Sequence, residues 1–242
     1  MNRDLALSGG LAALACAGSF VFGFALFLTT LSPYLEYRND ADFAVQFVLS
    51  HHDTLALWNL VIYVGFGVAL AVLALAEHER LRDASPRLAR LGVTAGLVWV
   101  GLVVAAGMVA TVGLERVVEI APAEPARAAS LWLAVNTVTE GLGGGNEIVG
   151  GLWVLVISAA AWRERSDPRW LSATGLIAGF TGVASTVPGL GDLGAVFGLV
   201  LIAWFAALGV RRIVERLAAR PAGTTQAYEE SPTPGGWREH AG

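Results

Sequence analysis

Six apolar runs separated by polar gaps organise the chain: residues 11–31, 54–76, 91–113, 145–162, 171–188 and 193–213. Most approach the ~20 residues with which a helix crosses ~30 Å of hydrocarbon. The pattern predicts an all-α fold, an integral membrane bundle of six transmembrane helices in three hairpins. The membrane domain occupies residues 1–213; residues 214–242 form a tail. From about Pro221 that tail is rich in Pro, Gly, Thr and Glu without apolar periodicity, and it is expected to be mostly disordered.

The gaps refine this layout. Residues 32–53 form a first outer loop, with Ser32-Pro33 and the charged string Glu36-Tyr37-Arg38-Asn39-Asp40. Phe43, Ala44, Phe47 and Val48 recur there at helical spacing, which predicts a short helix resting on the membrane interface. Asp53-Thr54 is the expected N-cap of the second span. Residues 77–90 read as a short, exposed inner loop of mixed charge, and the third span is expected to end near Gly113.

The longest outer segment follows. Pro125 suits the first turn of a helix, and no proline interrupts before Pro168. One helix over 125–162 would be ~57 Å long, nearly twice the hydrocarbon thickness. Each glycine costs ~1 kcal/mol in a helix interior, so Gly143-Gly144-Gly145 is the expected break. The reading is an extra outer helix at 125–141, a glycine joint, then the fourth span. Pro188-Gly189-Leu190-Gly191-Asp192 closes the last hairpin. On the fifth span, Gly175, Gly179, Gly182 and Thr186 make a small-residue stripe that permits close helix approach, including contact with a second chain.

Charge sets the orientation. All sixteen basic residues other than histidine are arginine. One set of alternate gaps holds Arg3; Arg80, Arg82, Arg87 and Arg90; Arg163, Arg165 and Arg169; and Arg211, Arg212, Arg216 and Arg220. The other holds only Arg38, Arg116 and Arg127. Positive charge stays cytoplasmic, so both termini are expected on the cytoplasmic side of the plasma membrane. The net charge of −4 matters less than this split, because the arginine-rich face suits anionic lipid headgroups. A hydrophobic content of 55% and a mean hydropathy of +0.60 also point to lipid as the solvent. No basic stripe interleaved with aromatics points to nucleic acid.

Several chemistries fall away. Cys16 is the only cysteine, which excludes an intramolecular disulfide and a thiolate cluster. The apolar run continues past Ala13-Leu14-Ala15-Cys16, unlike a lipoprotein cleavage site. Without lysine there is no retinal Schiff base and no Walker-type phosphate lysine. Adjacent His51 and His52 beside Asp53 cannot both face one ion as helical i,i+4 ligands do, and Glu36, Asp40 or Asp42 would have to complete a site. Gly189-Leu190-Gly191-Asp192 matches the string of intramembrane aspartyl proteases, but that chemistry needs a second intramembrane aspartate. No cofactor is expected. An enzyme is disfavoured because no complete acid–base or metal constellation can be assembled.

The strongest candidate chemistry is Asn136-x-x-x-Glu140-x-Leu142-Gly-Gly-Gly-Asn146-Glu147. On a continuous helix Asn136, Glu140 and Glu147 would share a face. A carboxylate followed by apolar Ile148-Val149 is costly in a bilayer unless paired or hydrated, and glycines beside it can expose backbone to a ligand. The bland alternative places the carboxylates in interfacial water. Asn59 and Tyr63, an i,i+4 pair after Trp58 on the second span, are the second candidate. Their bland role is interhelical glue.

The stretch Gly144-Gly145-Asn146-Glu147-Ile148-Val149-Gly150-Gly151-Leu152-Trp153, with Pro168-Arg169-Trp170-Leu171-Ser172 and Gly175-Leu176-Ile177, resembles uncharacterised prokaryotic multi-pass membrane proteins of domain of unknown function 4386. The likeness runs over roughly 130–213, the first three spans agreeing in layout and length. It implies a multi-helix membrane bundle and assigns no catalytic role. Two readings follow. One is a protein that binds or passes a small or lipid-like ligand at the glycine joint, through Glu147, Glu140, Asn146, Asn136, Asn59 and Tyr63. The other is a non-catalytic accessory or scaffold subunit that oligomerises through Gly175 and Gly179.

Overall fold

A computed structural model describes residues 3–37, 40–144 and 147–218. Among them the chain forms ten α-helices and two π-helical turns, with no strand. In order these are α1 (Arg3–Leu28), α2 (Ser32–Tyr37), α3 (Ala41–Ser50), α4 (His52–Asn59), a π-turn (Leu60–Gly65), α5 (Phe66–Leu81), α6 (Pro86–Ile120), α7 (Pro125–Thr139), a second π-turn (Glu140–Gly144), α8 (Glu147–Glu164), α9 (Arg169–Ser185) and α10 (Leu193–Ala218). The disorder expected of the tail from Pro221, and Asn146 of the candidate string, lie outside the described residues.

Five of these stretches are long and apolar enough to cross a membrane: Leu5–Leu28, His52–Leu81, Pro86–Ile120, Pro125–Glu164 and Leu193–Ala218. Their outward faces fit lipid. Leu11, Val68, Val112 and Leu199 are all more than half exposed, an apolar surface that a soluble protein would bury. The remaining run, α9, has 17 residues and a length of ~26 Å. It joins two well-defined ends of the bundle. At one end Asp167, just before α9, bonds Arg212 near the close of α10 at 2.7 Å. At the other, the backbone of Glu147 lies 3.0 Å from where a Cβ on Gly182 would sit, and the Glu147 carboxylate 3.6 Å from one on Gly194. α9 therefore runs the same height as α8 and α10.

One core fills the bundle between α1, α5, α6, α8, α9 and α10. It is dense in aromatics: Phe66, Trp99, Trp153, Trp204 and Phe205 are all buried. Trp153 sits between Trp99 and Trp204, with ring centroids 6.0 and 5.8 Å away. The glycine stripe serves this core. A Cβ on Gly175 would meet Ser158 Oγ, and one on Gly179 would lie 2.6 Å from the carbonyl oxygen of Gly151. Both glycines are buried, with α8 packed closely against them.

A second core lies beyond the Glu147 end. α6, at 35 residues, is ~52 Å long and outruns the expected stop at Gly113. Its last turns bury Leu114 and Val117 against α3 and α7. The extra helix before α8 is present as α7, and its regular α-helical turns give way at Glu140 to the π-turn that runs to Gly144. α3 forms where expected, but its apolar face is spent on protein: Ala44, Phe47 and Val48 pack into this cap. The N-cap reading of Asp53-Thr54 also needs correction. α4 starts at His52, with His51 in the capping position and no side-chain cap bond. His52 instead reaches Asp53 and, at 3.0 Å, Glu115 on α6. Finally, the inner loop begins later than expected, because α5 continues to Leu81 and buries Glu77.

Candidate functional site

One face of α1 recurs at helical spacing as Phe20, Gly23, Phe24 and Phe27. Across from it stand Trp58, Ile62, Tyr63 and Phe66, the first on α4, the next two in the π-turn and the last on α5. These two faces, with Trp99 and Val103 of α6 and Phe197 of α10, line a partly open cavity of about 300 Å³. Glu147 supplies the one carboxylate among the described lining residues, from the first turn of α8. Gly194 stands beside that carboxylate and leaves room for it. The indole of Trp58 donates to the carbonyl of Gly23 at 3.4 Å and stacks on Phe27 with centroids 6.1 Å apart, which ties the two walls together. The floor is the aromatic core. Phe66 meets Phe20 and Trp99 edge-on, each at 5.3 Å.

A second cavity of about 350 Å³ adjoins the first, and Phe27, Trp58 and Tyr63 line both. Here the structure brings together four expected site residues: Asn59, Tyr63, Asn136 and Glu140. Glu147 faces the other cavity, and only Tyr63 belongs to both groups. The two π-turns explain part of this gathering. A π-turn takes an extra residue per turn and re-aims side chains, and such turns are frequent at functional sites. Tyr63 lies in one and Glu140 in the other. Nearby, the hydroxyl of Tyr34 accepts from Trp132 Nε1 at 2.9 Å and from Asn136 Nδ2 at 2.7 Å. Asn136 is thereby engaged at the wall of this cavity.

Sequence reasoning missed a third feature, at the opposite end of the bundle. Arg212, 2% exposed, bonds Glu77 Oε1 at 2.8 Å and Oε2 at 3.3 Å, and Asp167 Oδ1 at 2.7 Å and Oδ2 at 2.9 Å. Arg80 reaches the same two carboxylates, at 2.7 and 3.2 Å, and donates to Ser166. Arg211 adds a contact to Asp167 at 3.2 Å. The cluster pins α5, the α8–α9 turn and α10 at one point. Burial pushes the Asp167 carboxyl upward, but the bonds and charge of Arg212, with Arg80 and Arg211 behind it, prevail and hold it down at about 2. The available signal was Glu77 closing a long apolar run, with Asp167 standing between Arg165 and Arg169 in an arginine-rich gap.

None of these groupings matches a metal site: among the described residues no three of His, Cys, Asp and Glu converge to hold an ion. No curated protein and no solved structure matches the chain. A family profile does match, over residues 9–215, which extends the likeness through the first three apolar runs as well as the last three. The chain belongs to the family described as domain of unknown function (DUF4386).

Proposed function

We propose that this is a multi-pass membrane protein that binds a small or lipid-like ligand in the aromatic-lined cavity beneath Glu147. Six crossings, with both termini on the cytoplasmic side of the plasma membrane, fit the geometry best. The ends shared by α8, α9 and α10 support the sixth crossing, and the arginine-rich ends support the orientation. One observation carries the ligand reading. A half-buried carboxylate on the wall of an apolar cavity is costly, and a structural role does not account for it, since it anchors no helix pair through a bond to another side chain among the described residues. The chamber has the volume and apolar lining of small-molecule sites. The neighbouring chamber, with Asn59, Asn136 and Glu140, offers a more polar path outward from it.

Native mass spectrometry of the protein released from a mild detergent tests this. The wild type should carry an apolar small molecule or lipid that Gly194→Leu, which fills the chamber beside Glu147, no longer retains. Equal retention by the two proteins would contradict the assignment.

A further inference from the structure

We propose that the Glu147 cavity selects a lipophilic monocation: an ammonium group with an apolar substituent. This rests on the ligand-site reading above and adds the charge of the ligand to it. The lining has two chemical parts. Glu147 is a carboxylate with no arginine or histidine among the described lining residues to neutralise it. The buried arginines sit at the far end, separated by the ~27 Å length of α8. The other part is aromatic, with Phe20, Phe24 and Phe27 of α1 facing Trp58, Phe66 and Trp99. Aromatic faces attract cations through the ring quadrupole, and several such faces with one carboxylate form the setting that recognises ammonium ions.

Other ligand charges fit less well. An anion would meet a carboxylate with no basic side chain beside it across apolar walls, and a neutral hydrocarbon would cover that carboxylate without balancing its charge. A zwitterionic phospholipid head would satisfy Glu147 with its ammonium but bring a phosphate that no described lining residue can neutralise. The free cation fits both parts at once. Trp58 adds no polar competitor: its N–H is spent on the Gly23 carbonyl and one ring face on Phe27, so it offers the ligand aromatic surface rather than a hydrogen-bond donor.

The test compares phenyltrimethylammonium with tert-butylbenzene, the same shape with carbon in place of the charged nitrogen. Binding to the full-length protein in a non-ionic detergent is measured by equilibrium dialysis. The ammonium should bind about tenfold tighter than its neutral isostere through charge attraction alone, and Glu147→Gln should remove that advantage while leaving tert-butylbenzene unchanged. Phe24→Leu should weaken the ammonium about fivefold and the isostere little. Gly194→Leu should abolish binding of both, and it keeps the test open if Glu147→Gln fails to fold. Equal affinities that ignore Glu147→Gln would overturn the cation assignment and leave the ligand cavity standing. Binding of both that survives Gly194→Leu would overturn the cavity as well. A short-chain phosphatidylcholine that binds more tightly than the free ammonium would overturn the free cation in favour of a lipid headgroup.

Discussion

Replacing Arg212 with methionine removes the guanidinium that grips Glu77 and Asp167 from within the bundle. Both carboxylates are nearly inaccessible, at 1% and 9% exposure, so neither can turn to water for a new partner. Breaking one side of a buried ion pair typically costs 3–5 kcal/mol, because the remaining charge is left uncompensated. Arg80 still touches both carboxylates, which places the expected loss near the lower end, at about 3 kcal/mol. For a chain of this size 1 kcal/mol moves the midpoint by roughly 2–4 °C, giving a shift of about 6–12 °C. Tryptophan fluorescence during thermal unfolding of the detergent-purified protein reads it out. Adding Glu77→Gln to Arg212→Met should return a large part of the loss, since it removes one of the stranded charges. Arg212→Lys should fall between wild type and methionine, because an ammonium cannot bridge two carboxylates with paired bonds. A midpoint within about 2 °C of wild type for Arg212→Met would refute the reasoning.

Asp167 adds a pH prediction. Its folded pKa lies below its ordinary 3.8, so its stabilisation is present above pH 3.8 and is lost as pH falls toward about 2. Midpoints measured across that window should drop for wild type and drop less for Asp167→Asn, which starts lower; parallel curves would contradict the pairing. Gly179→Ala should destabilise by roughly 1–3 kcal/mol, since its methyl would press on the backbone of Gly151, whereas Gly18→Ala, with open space around it, should be neutral or better. The fold supports six crossings if single cysteines, placed on a Cys16→Ala background, react as the ends require. Ala123→Cys and Asp192→Cys should label in intact cells and Ala84→Cys only after permeabilisation; Asp192→Cys protected with Ala84→Cys would remove the crossing at α9.

The apolar runs reveal the helices because lipid-facing and buried positions are both apolar, so the run survives whichever way a residue points. For the same reason they conceal where each helix ends. The run that closes at Gly113 continues as Leu114 and Val117, two buried positions one turn apart, with charged residues on the opposite face. α3 shows the same ambiguity: Phe43, Ala44, Phe47 and Val48 form a stripe that a membrane interface or a protein cap could cover, and periodicity cannot choose. The site was partly legible. Spacing placed Asn136 one turn from Glu140 and Asn59 one turn from Tyr63, and the fold joins these pairs in one chamber. It could not place Glu147 next door, because the π-turn at Glu140–Gly144 shifts the helical register. The Glu77–Asp167–Arg212 cluster was hidden by distance, its partners lying 135 and 45 positions apart. A charge that ends an apolar run also reads as an interfacial one.

Photolabelling bears most directly on the central claim, that the Glu147 chamber holds an apolar ligand. Membranes containing the protein would be irradiated with an aryl-diazirine alkylammonium, and the modified peptides mapped by mass spectrometry with and without excess phenyltrimethylammonium. The account predicts label on residues 20–27 and 58–66, the two facing walls of the chamber, suppressed by the competitor and by Gly194→Leu. Label confined to outward residues such as Leu11, Val112 and Phe180, and indifferent to both, would contradict it.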